Sequence, residues 1–135
     1  MELEENVMRK AFAFLVIVVS LSLFIPPAIL AYNSATVKAA MAKMPQNLTD
    51  IQTKSAARDY YGTAEGFMEI ARLIKTLDDI VPSKGEKAIW DRNHQNLINA
   101  AFKGIGACGA QNDAAIKEAI QELIKYRTEG HKFFK

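Results

Sequence analysis

From Ala11 to Ala31 the chain runs AFAFLVIVVSLSLFIPPAILA without one charged side chain, and this run divides the sequence into two parts that obey different rules. A charge-free apolar stretch of about 20 residues is long enough to cross the hydrocarbon core of a bilayer as a helix. The same run has the layout of a secretory signal, because Pro26 and Pro27 break it shortly before the end Ala28-Ile29-Leu30-Ala31. Glu2, Glu4 and Glu5 are unusual for the start of a signal, and Ile29 is bulkier than the small residue common there. Cleavage and retention as a single transmembrane anchor both stay open. Either way Arg9 and Lys10, just before the run, hold the N-terminus in the cytoplasm and send the remainder across. Residues 1–31 are therefore read as a signal peptide or signal anchor. Residues 32–135 are read as one domain in the periplasm or on the outer face of the cytoplasmic membrane.

That domain has little punctuation and a helical pattern of apolar residues. Val37, Met41, Met44, Leu48 and Ile51 follow one another at spacings of four, three, four and three, which makes a core-facing stripe on one helix, with Pro45 kinking or interrupting it. A second segment, from about Ala56 to Ile80, carries Phe67, Ile70, Ala71, Ile74, Leu77 and Val81 on one side, and Gly62 and Gly66 allow a close approach to its first turns. A third begins after Ser83 and Gly85 and places Trp90, Leu97, Ala101 and Cys108 on a common stripe, flanked by Phe102 and Ile105, with Gly109 as its left-handed stop. The fourth opens at Asp113 as N-cap, carries Glu118 and Glu122 toward its start, and has Lys125, Arg127, Lys132 and Lys135 toward its end, which suits the helix dipole. No hairpin signal interrupts the series. Four amphipathic helices joined by short turns predict an all-α fold: an antiparallel up-down-up-down four-helix bundle, preceded by one N-terminal hydrophobic helix.

Composition removes several classes of function. A net charge of +2, with no basic run and no interleaving of basic and aromatic residues, argues against a nucleic-acid partner. The single Cys108 cannot close an internal disulfide and reads as a small buried residue near a helix end. No Ser, His and acid arrangement and no metal-spaced cluster stands out, so no catalytic residue is assigned and an enzyme is not expected.

Two histidines remain. At about 100° per residue, His131 lies within about 20° of Ile120 and Ile124, so its imidazole turns toward the bundle. His94, about 60° from Leu97 and flanked by Asn93, Gln95 and Asn96, is assigned to a solvent-facing edge of the third helix. Met68 faces away from the core stripe, and Tyr60 and Tyr61 are taken as packing or surface residues.

The closing string Leu123-Ile124-Lys125-Tyr126-Arg127-Thr128-Glu129-Gly130-His131-Lys132-Phe133-Phe134-Lys135 resembles the end of the last helix in the four-helix haem proteins of the cytochrome b562 and cytochrome c′ group. In that group an axial His is followed three residues later by an aromatic and then a basic residue, here His131, Phe134 and Lys135. The cytochrome b562 pattern also has an Arg four residues before the His, here Arg127. The Cys-x-x-Cys-His attachment motif of cytochrome c′ is absent, since Arg127-Thr128-Glu129-Gly130 stands in its place, which excludes covalent haem there.

The resemblance implies non-covalent haem b, with His131 as one axial ligand, Arg127 or Lys135 near a propionate and Phe134 against the ring. Because the start of the first helix lies beside the end of the last in an antiparallel bundle, Met41 is at the right height to bind opposite His131. Met44 and His94 stand as rivals for that position. The implied function is an exported or membrane-anchored electron carrier that meets a redox partner protein or a membrane complex, and that touches the membrane itself through residues 11–31 if these are retained. Two other readings stay open: a haem-free accessory subunit of a membrane complex, and a gas-binding protein similar to cytochrome c′.

Overall fold

The structure is a computed structural model that describes residues 34–134. The apolar run Ala11–Ala31, its Arg9-Lys10 flank and the terminal Lys135 lie outside the described residues. The chain separates into two units, one formed by Met1–Leu30 and one by Ala31–Lys135, and only the second is described below. Its described part is all helix and connecting turn: α1 (Ser34–Ala56), α2 (Tyr60–Lys75), α3 (Lys87–Gly109) and α4 (Asp113–Phe134). Among the described residues no helix is long and apolar enough to cross a membrane.

Each helix packs on the next, and α1 also approaches α4, whereas the backbones of α1 and α3, and of α2 and α4, stay more than 8 Å apart between Cα atoms. The four therefore stand in a ring, with α1 and α3 on opposite sides of the shared core. The stripe of α1 is the one the spacing predicts, with Val37, Met44, Leu48 and Ile51 buried and Met41 half-buried. Pro45 lies within α1 without ending it. It lacks an N–H, so the Met41 carbonyl loses its ordinary partner one turn on. The second helix is shorter than the sequence suggests: Ala56 belongs to α1, and α2 ends at Lys75. Its apolar series continues into the following turns, where Leu77 and Ile80 are buried and Val81, placed on the stripe by the sequence, is 42% exposed. Once the helix ends, the 3.6-residue period no longer decides which side faces the core.

The turns hold two further corrections. At the end of α3 the left-handed residue is Gln111 (φ 51°) rather than Gly109. At the start of α4 the cap is Asn112, whose Oδ1 accepts from the Ala115 N–H at 3.0 Å. Asp113 instead accepts the Tyr60 hydroxyl at 2.9 Å and faces Arg58 at 3.4 Å, tying the first turn of the bundle to the last. Arg58 itself is left-handed (φ 56°), and Asp59 caps α2 by accepting from the Gly62 N–H at 2.9 Å. Gly66 and Gly104 are sites of close approach: an added Cβ would stand 2.6 Å from the Ile51 side chain and 2.4 Å from the Phe67 ring, respectively.

The apolar interior forms two clusters. The larger joins all four helices around Ile51, Phe67, Ile70, Ala100, Ile116 and Leu123. The smaller gathers Val37, Ala40, Leu77, Ile80 and Trp90, with Met41 and Phe134 packed against it. Leu73 touches both, and elsewhere the boundary between them coincides with a cavity.

Candidate functional site: a histidine- and methionine-lined cavity

The cavity measures about 420 Å³ and lies among α1, α3, α4 and the loop before α3. It is large enough to rank with small-molecule and cofactor pockets, which span roughly 300–1,000 Å³. Its floor toward the larger cluster includes Met44 and Leu97, and its outer end is formed by Val37, Trp90 and Phe134. Between these layers stand Met41 from α1, His94 from α3 and His131 from α4, with Arg127 one turn deeper on α4. All four residues assigned from sequence to cofactor binding, Met41, Arg127, His131 and Phe134, thus line one space.

His94 does not lie where its sequence neighbours suggest. It is 4% exposed, not on a solvent-facing edge, and it lines the same cavity. Its ring is 4.4 Å from that of Trp90, one turn earlier on α3. Burial pushes its pKa down to about 4 from the ordinary 6.5, against the opposing pull of Asp78 and Asp91 and with a smaller contribution from Lys87. The imidazole is therefore neutral at physiological pH. Its Nδ1 is buried and has no hydrogen-bond partner among the described residues. Leaving such a group unsatisfied costs about 1–3 kcal/mol, which the folded domain tolerates only if packing or a bound group offsets it.

Arg127 is the second unsatisfied group. Its Nε is buried without a hydrogen-bond partner among the described residues, in a side chain whose residue borders the cavity. A guanidinium always carries its charge, so an unfilled donor beside an apolar cavity favours an anionic ligand, above all a carboxylate. Lys38 also borders the space and adds to the positive side of its rim.

His131 is half-buried, and Ile124, which shares its side of α4, is 40% exposed. The α4 face that carries His131 is therefore the edge of the buried stripe, and the imidazole meets the cavity lining in place of a shell of isoleucines.

The surrounding framework fixes these side chains. The Trp90 indole N–H donates to the Leu77 carbonyl at 3.3 Å, which orients its ring, and the Phe134 ring meets it edge-on at 4.9 Å. Phe134 is held from the other side by Gly85 (φ 78°), where a Cβ would come within 3.0 Å of the ring. Asn93 donates from Nδ2 to the Tyr126 carbonyl at 2.9 Å, and its Oδ1 would lie 2.7 Å from a Cβ on Gly130. Absence of a side chain at Gly130 thus lets α3 and α4 close against each other between His94 and His131. By contrast, α1 meets α4 sparsely and its backbone stays more than 8 Å from that of α3 between Cα atoms, so the side of the cavity toward α1 is the looser one.

No cluster of three or more His, Cys, Asp or Glu side chains suited to a metal ion occurs among the described residues. Cys108 is buried far along α3, its thiol pKa raised by burial, and is not part of the cavity lining. Sequence reasoning held His94 only as a rival ligand and placed it on a solvent-facing edge, and it missed Trp90, Asn93 and Gly130 as parts of this site.

Fold and site together define a helical domain with a pre-formed pocket that combines two imidazoles, the His94 one neutral, with thioethers, an aromatic wall and an unsatisfied cation. No protein-family pattern, curated protein or solved structure matches the chain.

Proposed function

We propose that this protein is an exported or membrane-anchored b-type haem protein that carries electrons, built as an antiparallel up-down-up-down bundle. The observation that carries this reading is the cavity of about 420 Å³ in which Met41, His94, His131 and Arg127 meet. The links between α1 and α2 and between α3 and α4 are three residues each, from Ala57 to Asp59 and from Ala110 to Asn112. So short a link between two packed helices supports the antiparallel sense.

The residues present fit haem b chemically. A thioether and an imidazole are a common axial pair for haem iron. The orphaned Nε of Arg127 suits a propionate, and the Trp90 and Phe134 rings suit the face or edge of a flat aromatic macrocycle. Bound there, haem b supplies a one-electron iron couple. The chain would contribute Met41 as a thioether ligand, an imidazole as a second ligand, the Arg127 guanidinium to neutralise carboxylate charge and apolar lining residues to keep water from the metal. On the sequence pattern the imidazole is His131. Nothing in this arrangement asks for a catalytic residue. Electrons would pass to and from a redox partner protein or a membrane complex outside the cytoplasm, where Arg9, Lys10 and the apolar run direct the domain.

The test is direct. The full chain, expressed with its N-terminal segment and purified in mild detergent, is extracted with acidified organic solvent, and the extract and protein are examined for haem. Haem b that extracts freely supports the reading. A colourless protein that also fails to take up added haemin refutes it and leaves the haem-free accessory subunit in its place. Haem that remains attached to the chain after extraction contradicts the non-covalent assignment.

A further inference from the structure

We infer that the imidazole bound to iron opposite Met41 is His94, from α3, and not His131. This deepens the haem reading and rests on it. Axial ligands must approach the metal from opposite faces of a flat macrocycle, so they must come from walls that face each other. The helices that stand across the core are α1 and α3, whose backbones stay more than 8 Å apart between Cα atoms, whereas α4 packs closely on α3 and only sparsely on α1. Met41 and His94 belong to the facing walls, and both line the cavity.

Their heights also agree. Val37 and Trp90 pack in one cluster, and Met41 and His94 lie one turn further along their respective helices. His131 reaches the same level, since its neighbour Gly130 lies against Asn93. It comes, however, from the wall beside His94. The seam between α3 and α4 is closed there by the Asn93 bond to the Tyr126 carbonyl and by the tight fit at Gly130, so a macrocycle cannot slide between the two histidines. Both imidazoles then lie on one side of the plane, and only one of them can be axial. His94 is 4% exposed with an unpartnered Nδ1, while His131 is half-buried near the C-terminal end of α4. The assignment leaves His131 beside Arg127 at the carboxylate edge of the site.

The experiment loads the full chain with haemin and compares wild type, His94→Ala, His131→Ala and Met41→Leu by absorption and electron paramagnetic resonance. His94→Ala is expected to lose the six-coordinate low-spin signature and to recover it when imidazole is added. His131→Ala is expected to keep the wild-type spectrum while releasing haemin faster. Met41→Leu is expected to lose the weak charge-transfer band of a thioether–iron bond. If His131→Ala loses the low-spin signature and His94→Ala keeps it, the inference fails while the haem reading stands. Loss in both histidine variants with Met41→Leu unchanged overturns it as well, in favour of two imidazole ligands. If His94→Ala does not fold, the His131→Ala spectrum alone decides the matter. A wild type that takes up no haemin defeats the inference and the haem reading together.

Discussion

Acidification should weaken the haem-free domain through His94 well before its carboxylates are titrated. The imidazole takes up a proton near pH 6.5 in the unfolded chain, but burial holds it neutral in the folded domain down to about 4. Because the native pKa is depressed, the unfolded state binds more protons between these limits. The stabilising contribution is thus complete above the unfolded value, declines as the pH falls, and stops changing below the folded one. A native pKa that lies one pH unit below the unfolded value is worth about 1.4 kcal/mol, so the whole window is worth roughly 3 kcal/mol. That is a large share of the stability of a domain this size, which is about 5–15 kcal/mol. The assay is urea unfolding of the full chain, followed by the helical circular dichroism signal at several pH values, for wild type and for His94→Leu. Carboxylates titrate in both proteins, so their effect cancels in the difference. The wild type should lose roughly 3 kcal/mol relative to the variant between about pH 7.5 and pH 4. A difference that stays flat over this range would show that the imidazole is hydrated in the folded state and would refute the burial argument.

Gly104→Ala should destabilise the bundle by about 1–3 kcal/mol, read from the urea midpoint, because the new methyl would stand 2.4 Å from the buried Phe67 ring. Cys108, buried and with its thiol pKa raised, should resist alkylation in the folded protein and react readily once urea unfolds it; fast labelling under native conditions would contradict its placement. A reporter fused after Lys135 should be active only outside the cytoplasm, and cytoplasmic activity would overturn the sidedness drawn from Arg9, Lys10 and the apolar run.

The helical pattern carried most of the fold. The stripe Val37, Met44, Leu48, Ile51 is buried as the spacing requires, and so are Phe67, Ile70 and Ile74 on α2 and Trp90, Leu97, Ala101 and Cys108 on α3. What escaped was local. The choice of Asn112 over Asp113 as cap turns on a single backbone step, since Asn and Asp both suit that position, and the left-handed residue is Gln111, two positions beyond Gly109 and of a type that no capping preference singles out. Ile80 replaced Val81 in the core because both lie beyond the end of a helix, where periodicity gives no guide. His94 was misplaced for a different reason. Its polar neighbours Asn93, Gln95 and Asn96 suggested an exposed edge, yet Trp90, His94, Leu97, Ala101, Gly104 and Cys108 follow one another at alternating spacings of four and three. The heptad was visible, and polarity and the missing side chain of Gly104 hid two of its members. The cavity as such could not be read from the sequence, because it depends on where two apolar clusters fail to merge.

Whether the space between those clusters is a haem site is decided by an equilibrium titration of the full-length protein with haemin, followed by absorbance. The expected result is saturation at one haemin per chain with a six-coordinate spectrum. Uptake that never saturates, or a spectrum indistinguishable from haemin in the same detergent, would contradict it.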